Sequence, residues 1–244
     1  MTDRFRLTLA QSNPTVGDIA GNAALACRVW QQGRDAGADM VALPEMFITG
    51  YNAQDLVVKP AFHHAAMAAV TQLAADCADG PALGIGGPWA EDGKLYNAYF
   101  ILRGGEITSR MLKNHLPNET VFDEVRIFDA GALGGPYSVG DTRIGSPICE
   151  DAWYEDVSET LSETGAEFLL IPNGSPYDRE KLSVRQNIMV ARVIETGLPL
   201  IYLNMVGGQD DQVFDGGSFV LNPGGALAVQ LPLFEDTVAH VDLH

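Results

Sequence analysis

Short apolar segments alternate with longer segments of helical periodicity along this 244-residue chain. Short apolar runs bounded by turn residues predict buried strands, and apolar residues spaced by three or four predict amphipathic helices. We predict helices near residues 22–35, 60–77, 157–164 and 181–195. We predict strands near residues 5–10, 40–43, 82–86, 98–102, 108–113, 142–149, 168–171, 200–204, 218–221, 226–230 and 238–241. This alternation is typical of an α/β protein whose helices cover its sheets.

Two glycine-rich turns predict that the sheets are mixed and not purely parallel. Residues 103–106 (Arg-Gly-Gly-Glu) and 222–225 (Asn-Pro-Gly-Gly) each lie between apolar runs. Paired glycines supply the positive φ that tight hairpins require, and hairpins join antiparallel strands. The eleven predicted strands are too many for four helices to cover in one sheet, so we expect two sheets packed face to face with helices outside.

Composition limits the domain count and the class of partner. With 46% hydrophobic residues and no linker, we expect residues 1–244 to form one domain. A net charge of −17 with only 15 Lys and Arg argues against a nucleic-acid partner. The first residues lack a signal-peptide pattern, and no run of 18 apolar residues occurs. Three cysteines fit a reducing compartment. We therefore expect a cytoplasmic protein with no membrane association, whose partners are small molecules or proteins.

Three segments each place one ionisable residue where an apolar run ends. Glu45 follows Leu-Pro, Lys113 follows Met-Leu, and Cys149 follows Pro-Ile. Strand ends at one edge would bring the three side chains together. A cysteine reacts as its thiolate, and a helix N-terminus and a nearby lysine are the usual means of lowering its pKa. Glu45 would transfer protons and Lys113 would stabilise a developing oxyanion, so the pattern predicts acyl transfer.

The cysteines also have a structural interpretation. Cys27 and Cys77 lie on apolar helical faces, where a free cysteine behaves as a small buried hydrophobe, and we expect both in the core. Cys149 taken alone could equally be a core residue. Glu150 and Asp151 follow it and favour a helix start there, since acidic residues stabilise helix N-termini.

The order Glu, Lys, Cys resembles the nitrilase superfamily of carbon-nitrogen hydrolases, from about Phe5 to the C-terminus. Five further motifs in order look like the glutaminase domain of glutamine-dependent NAD synthetases. They are Lys113-Asn114-His115-Leu116-Pro117-Asn118, Val121-Phe122-Asp123-Glu124, Cys149-Glu150-Asp151-Ala152-Trp153, Asn173-Gly174-Ser175-Pro176, and Gly207-Gly208-Gln209-Asp210 with Val213-Phe214-Asp215-Gly216.

The resemblance implies a four-layer α-β-β-α sandwich of two mixed sheets. It implies hydrolysis of the glutamine side-chain amide to glutamate and ammonia through a thioester at Cys149. It implies that no metal and no cofactor take part. The ammonia would supply an ATP-pyrophosphatase synthetase domain that makes NAD, and the Ser-Gly-Gly-x-Asp-Ser loop of that domain does not occur in this sequence. We also expect the chain to form a homo-oligomer.

The resemblance also suggests residues around the catalytic three. Glu124 is the candidate for a supporting glutamate beside Lys113, although it could instead pair with Arg126 on a loop surface. Ser175 and Lys181 have the spacing of the serine and the cation that hold the α-amino-acid end of glutamine, although Lys181 could be an ordinary solvated lysine. We add Trp153 to the substrate-binding set.

One position departs from the glutaminase pattern. A tyrosine that walls the glutamine pocket usually follows Leu-Pro-Asn, and here Glu119 stands there. Its carboxylate could pair with the substrate's α-ammonium, which makes Glu119 a further substrate-binding candidate. His115 offers a different chemistry, because strand alternation would place it on the side of Lys113 and allow a Cys149–His115 dyad.

Two other functions stay open from the sequence. The chain could be a stand-alone nitrilase-type amidase or carbamoylase that acts on another small amide. It could also be a non-catalytic scaffold subunit, although the intact Glu45, Lys113 and Cys149 argue against this.

Overall fold

The computed structural model describes residues 4–119 and 121–244. Its helices are α1 Ile19–Asp35, α2 Pro60–Asp76, α3 Glu124–Ile127, α4 Glu155–Glu163 and α5 Lys181–Thr196. Its strands are β1 Phe5–Gln11, β2 Met40–Ala42, β3 Ala82–Glu91, β4 Lys94–Arg103, β5 Glu106–Leu112, β6 Tyr137–Val139, β7 Thr142–Gly145, β8 Phe168–Asn173, β9 Leu200–Asn204, β10 Val206–Gln209, β11 Gln212–Asp215, β12 Phe219–Leu221, β13 Leu227–Gln230 and β14 Thr237–Leu243. Two 3₁₀ turns cover Gln54–Leu56 and Cys149–Trp153.

Two six-stranded sheets form the centre of the fold, in the orders β14-β1-β2-β3-β4-β5 and β13-β12-β9-β8-β7-β6. In the first sheet β1, β2 and β3 are parallel and the remaining pairs are antiparallel. In the second sheet β7, β8 and β9 are parallel, and β6, β12 and β13 pair antiparallel. The two predicted glycine turns join β4 to β5 and β12 to β13. The predicted mixed sheets are confirmed.

Three apolar clusters separate the four layers. Leu7 and Leu170 belong to the cluster between the two sheets. Val41 points to the other face of the first sheet and packs beneath α1 and α2. Ile171 points to the outer face of the second sheet and packs beneath α4 and α5. Successive strand residues therefore fill different layers, because side chains alternate across a strand. The result is the predicted α-β-β-α sandwich.

The predicted strands are too short around one hairpin. We expected strands over 82–86 and 98–102, but β3 and β4 extend to a two-residue turn at Asp92 and Gly93. Both turn residues have positive φ, 51° and 77°. Asp-Gly is a preferred sequence for such a turn, since it tolerates positive φ at both positions. The signal was therefore present in the sequence.

Other boundaries differ because backbone pairing is not visible in hydrophobicity. The sequence pattern missed β6, β10 and β11, and β10 contains Gly207 and Gly208, a residue type depleted in strands. The predicted strand over 142–149 ends at Gly145. Pro147 then lacks the N–H that a ladder needs, and residues 146–149 are buried without strand pairing.

The topology brings the predicted catalytic segments to one edge. Since β4 reverses direction and β5 reverses it again, β5 ends at the same edge as β2. Lys113 follows β5 directly, and Glu45 lies three residues beyond β2. In the other sheet, Cys149 lies four residues beyond β7, and Gly174 follows β8.

Candidate active site

An ammonium held between two carboxylates lies at the centre of the site. Lys113 Nζ is 2.8 Å from Glu45 Oε1 and 2.8 Å from Glu124 Oε2. The side chains of Lys113 and Glu45 are 0% exposed and that of Glu124 is 1% exposed. Burial by itself lowers the pKa of Lys113, but Glu124 and Glu45 outweigh it and hold the pKa well above its usual range. Lys113 is therefore a permanent cation.

Both oxygens of Glu45 are fixed by donors. Oε1 accepts from Lys113 Nζ and from Asn97 Nδ2, each at 2.8 Å. Oε2 accepts from the backbone N–H of Gly174 at 2.8 Å. Asn97 lies within the largely apolar strand β4, and no local sequence pattern singles it out.

Glu124 has a buried position that a surface pair with Arg126 would not allow. Tyr51 donates to Glu124 Oε1 at 2.9 Å, and Lys113 contacts the other oxygen. Burial raises the pKa of Glu124 to about 7, although Lys113 acts in the opposite direction. Arg126 instead pairs with Asp55 and Asp123 on the surface. The alternative pairing of Glu124 with Arg126 is therefore wrong, and the buried glutamate stands beside Lys113.

Cys149 begins the 3₁₀ turn and is 4% exposed. Its φ is +48°, a conformation that non-glycine residues rarely adopt and that recurs at functional sites. Burial raises the pKa of the Cys149 thiol well above its usual range, Glu45 raises it further, and Lys113 offsets only part of this. The expected lowering of the pKa is wrong. The turn is five residues long and α4 begins only at Glu155, so no helix N-terminus stabilises a thiolate at Cys149.

An open cavity of about 710 Å³ lies beside these residues. Three of the predicted substrate-binding residues, Glu119, Trp153 and Lys181, line it together with Glu150, the residue after Cys149. Lys181 opens α5 as expected, is half-buried, and holds Nζ 5.7 Å from the centre of the Phe122 ring. Burial lowers the pKa of Lys181. Within residues 4–119 and 121–244 it has no carboxylate within 4.0 Å.

Ser175 is buried and is not among the residues that line this cavity. Its hydroxyl accepts from Arg185 Nε at 3.1 Å, and its carbonyl accepts from Arg185 Nη2 at 2.9 Å. Arg185 also pairs with Asp215 at 2.8 Å. The cation nearest the serine hydroxyl is thus Arg185 and not Lys181. Sequence spacing missed this, because Arg185 lies one helical turn beyond Lys181 on the same helix.

His115 is engaged away from the thiol. Its Nε2 lies 2.8 Å from Asp156 Oδ1, and its ring stacks on Tyr154 at 4.2 Å between centroids. The geometry therefore does not support a Cys149–His115 dyad. Of the other cysteines, Cys77 is buried as expected, and Cys27 is only partly buried against the same core.

The described residues contain no group of three or more His, Cys, Asp or Glu side chains arranged to hold a metal ion. No helix among the described residues is both long and apolar enough to cross a bilayer.

The chain is similar to several known proteins. The sequence profile named Carbon-nitrogen hydrolase matches residues 6–244. A relative from Rhodobacter capsulatus, named glutamine-dependent NAD(+) synthetase, is 61% identical over 243 residues, which are 100% of this chain and 44% of that protein. A glutamine-dependent NAD+ synthetase from Acinetobacter baumannii, solved in complex with adenosine diphosphate, superposes with a TM-score of 0.94 at 31% identity, covering 99% of this chain and 46% of that one.

A second similar structure belongs to a protein that is shorter than these synthetases. It is a glutamate-to-glutamine variant of the amidase from Nesterenkonia sp. AN1, with the acetamide moiety of fluoroacetamide added covalently at the active site cysteine. It superposes with a TM-score of 0.86 at 25% identity, covering 98% of this chain and 90% of that one. This chain spans less than half the length of the NAD synthetases that it matches. The matches confirm the resemblance that the motifs suggested, and the chain belongs to the carbon-nitrogen hydrolase family.

Proposed function

We propose that this chain hydrolyses the side-chain amide of glutamine to glutamate and ammonia through a thioester on Cys149. The observation that carries this proposal is the buried Glu45–Lys113–Glu124 network, whose charges act on the thiol of Cys149. A fixed cation beside a nucleophile is the arrangement that stabilises the oxyanion of acyl transfer.

The first half of the reaction forms the thioester. Because the resting thiol is neutral, Glu45 removes its proton as sulfur attacks the amide carbon. The carbonyl oxygen becomes an oxyanion, which Lys113 Nζ and the backbone N–H of Glu150 stabilise. Collapse of this intermediate breaks the carbon–nitrogen bond, and Glu45 returns the proton to nitrogen. Ammonia leaves. Lys113 does not serve as the acid, because its pKa is raised.

The second half restores the enzyme. Glu45 removes a proton from water as the water oxygen attacks the thioester carbon. The carbon–sulfur bond then breaks, and the sulfur regains the proton from Glu45. The new carboxyl group gives its own proton to water, and glutamate leaves. Each step uses the same base and the same oxyanion site, so one buried carboxylate serves both halves of the reaction.

The cavity suggests how glutamine would be held. Lys181 supplies a half-buried cation for the α-carboxylate, and Glu119 supplies an exposed carboxylate for the α-ammonium. Trp153 would contact the aliphatic part of the substrate. Ser175 would act indirectly, since its hydroxyl is engaged by Arg185. These four substrate-binding roles are part of the proposal.

The ammonia would supply NAD synthesis at an ATP-pyrophosphatase synthetase domain. Relatives named glutamine-dependent NAD(+) synthetase support this partner, since this chain matches less than half of each. We further propose that the protein acts in the cytoplasm as a homo-oligomer. The coupling between two such sites is typically about 1–3 kcal/mol, so the activity of this chain alone should be low and should rise when an occupied synthetase domain is added.

A stand-alone amidase is the second candidate. The amidase from Nesterenkonia sp. AN1 supports it, because that match covers 90% of the neighbour's length. Ammonia release from glutamine, asparagine, N-carbamoyl amino acids and aliphatic amides separates the two. Glutamine should be the best substrate by kcat/KM. A preference for an aliphatic amide or a carbamoyl amino acid would contradict the glutaminase proposal, and no release from any amide would favour the scaffold alternative.

A further inference from the structure

A single buried carboxylate joins the backbone around two of the catalytic residues. Asp151 is 2% exposed and lies on the turn that begins at Cys149. Its Oδ1 accepts from the backbone N–H groups of Asn114 at 3.0 Å and His115 at 2.7 Å, which follow Lys113. Its Oδ2 accepts from the backbone N–H of Ile148 at 3.0 Å, which precedes Cys149.

The charge of Asp151 is balanced by backbone N–H groups, because no side-chain nitrogen of Lys, Arg or His lies within 4.0 Å of its carboxylate in the described part of the chain. Burial raises the pKa of Asp151 to about 6, and the N–H groups of His115, Ile148 and Asn114 act against burial. Hydrogen bonds to an ionised acceptor are roughly twice as strong as neutral ones. An asparagine at position 151 would have only one acceptor oxygen. Its NH₂ group is a donor, so it would face at least one backbone N–H without forming a hydrogen bond.

The loop after Lys113 is held on its other side as well. Gly131 donates its backbone N–H to the Lys113 carbonyl at 2.8 Å, and Asn114 donates its side-chain amide to the Gly131 carbonyl at 2.6 Å. The side chain of Lys113 is fixed by its two carboxylates. Among the described residues the Cys149 sulfur forms no hydrogen bond to another side chain, so the turn at Cys149 has no equivalent side-chain anchor. Asp151 is thus the direct link between this turn and the fixed lysine loop.

We propose that Asp151 is a positioning residue, which sets the Cys149 sulfur against the Lys113 ammonium so that the oxyanion forms where Lys113 can stabilise it. The inference rests on the proposed function in one respect, namely that Cys149 is the nucleophile. A misplacement of about 1 Å in such a pair costs about a hundredfold in rate, whereas substrate affinity depends mainly on other contacts.

The test replaces the carboxylate while keeping its size. Asp151→Asn should lower kcat for glutamine about 10- to 100-fold and change KM less than about threefold. Rates are expressed per reactive Cys149, counted by stoichiometric labelling with a chloroketone analogue of glutamine, so that misfolded protein does not contribute. Asp156→Asn is the matched control, because Asp156 contacts the side chain of His115 and no backbone of this link. Its kcat should stay within about twofold of the parent protein.

A second variant covers the case in which Asp151→Asn does not fold. Asp151→Glu keeps both acceptor oxygens but moves them by one methylene, and it should lower kcat by a smaller factor, again with little change in KM. A kcat within twofold of the parent in the variant that folds overturns the proposal, and so does a rise in KM that matches the fall in kcat. Failure of the glutaminase proposal looks different, because the parent protein itself would then not hydrolyse glutamine.

Discussion

The two sides of the candidate site are built differently. On the catalytic side, Lys113 and Glu45 are fully buried, and a direct hydrogen bond of 2.8 Å joins them. On the substrate side, Glu119 is exposed and Lys181 is half-buried beside a cavity of about 710 Å³. Groups fixed before substrate arrives stabilise a transition state without reorganisation, whereas mobile side chains lose rotamer freedom on binding. The comparison predicts that changes on the buried side affect kcat, and also stability where they leave a buried charge without a partner, and that changes on the open side affect KM.

Cys149→Ala should have the largest effect, because sulfur forms the only covalent bond to the substrate in the proposed mechanism. Ammonia release should fall to the background rate, while the melting temperature should change little, because the alanine keeps Cβ and removes one buried atom. Cys27→Ala is the control, since Cys27 lies on α1 in the outer layer and should leave turnover unchanged. Appreciable turnover by Cys149→Ala would refute the mechanism.

Lys113→Ala should lower both activity and stability. Loss of an oxyanion donor costs about a hundredfold or more in kcat. Removal of the cation also leaves Glu45 and Glu124 buried without a charge partner, and breaking such a buried pair destabilises a protein by about 3–5 kcal/mol. Activity assays and denaturant unfolding would measure the two effects. Unchanged stability would contradict the role of Lys113 as the charge partner of Glu45 and Glu124.

The pH dependence tests the same buried network. As pH falls through about 7, Glu124 takes up a proton and holds Lys113 less firmly, so kcat should fall on the acid side. The midpoint belongs to the coupled network and not to Glu124 alone. The folded pKa lies above the ordinary value of 4.5, so the folded state binds more protons in this window, and the contribution of Glu124 to stability increases as pH falls.

Activity should therefore decrease between about pH 8 and pH 6 without any loss of stability from this carboxyl. A pH profile of kcat tests the expected fall in activity, and melting curves at the same pH values test the expected absence of a loss in stability. Glu124→Gln cannot titrate, so its remaining activity should lack the acid limb near pH 7. An unchanged limb in that variant would assign the titration to another group.

The approach of Glu45 to Lys113 was predictable, because each residue follows its own apolar run. Glu45, Lys113 and Cys149 each carry a local signal, and motif order added Glu124. The partners Asn97 and Tyr51 carried no such signal, because they reach the site through strand register and loop packing.

The pKa of Cys149 was mispredicted for a related reason. The motifs indicate which charged residues lie near Cys149, but the extent of its burial depends on tertiary packing. Burial is the largest cause of the raised pKa of Cys149. The fold itself was predictable to the level of layers and mixed sheets. Strands that carry glycine, such as β10, were not.

Lys181→Ala probes the open side and should act mainly on KM. Loss of one charge-assisted contact to the α-carboxylate should raise the KM for glutamine by about one to two orders of magnitude. The KM for butyramide, which has no carboxylate, should not change. Arg179→Ala is the matched control, since Arg179 is an exposed cation two residues away that does not line the cavity. Equal effects on both substrates would show that Lys181 acts through the structure of α5.

Glu119→Tyr should have the smallest effect of the set. It installs the residue that glutaminase domains of NAD synthetases usually carry and removes the carboxylate proposed to meet the α-ammonium. Exposed ion pairs contribute little, so the KM for glutamine should rise no more than about fivefold. The KM for glutaramate, which keeps the carboxylate and lacks the ammonium, should stay constant. Glu106→Gln, an exposed acid at the start of β5, serves as the control. If the KM for glutamine instead falls, then position 119 acts as a pocket wall. The ammonium must then pair with another carboxylate of the cavity, and among the lining residues that the structure describes the remaining acid is Glu150.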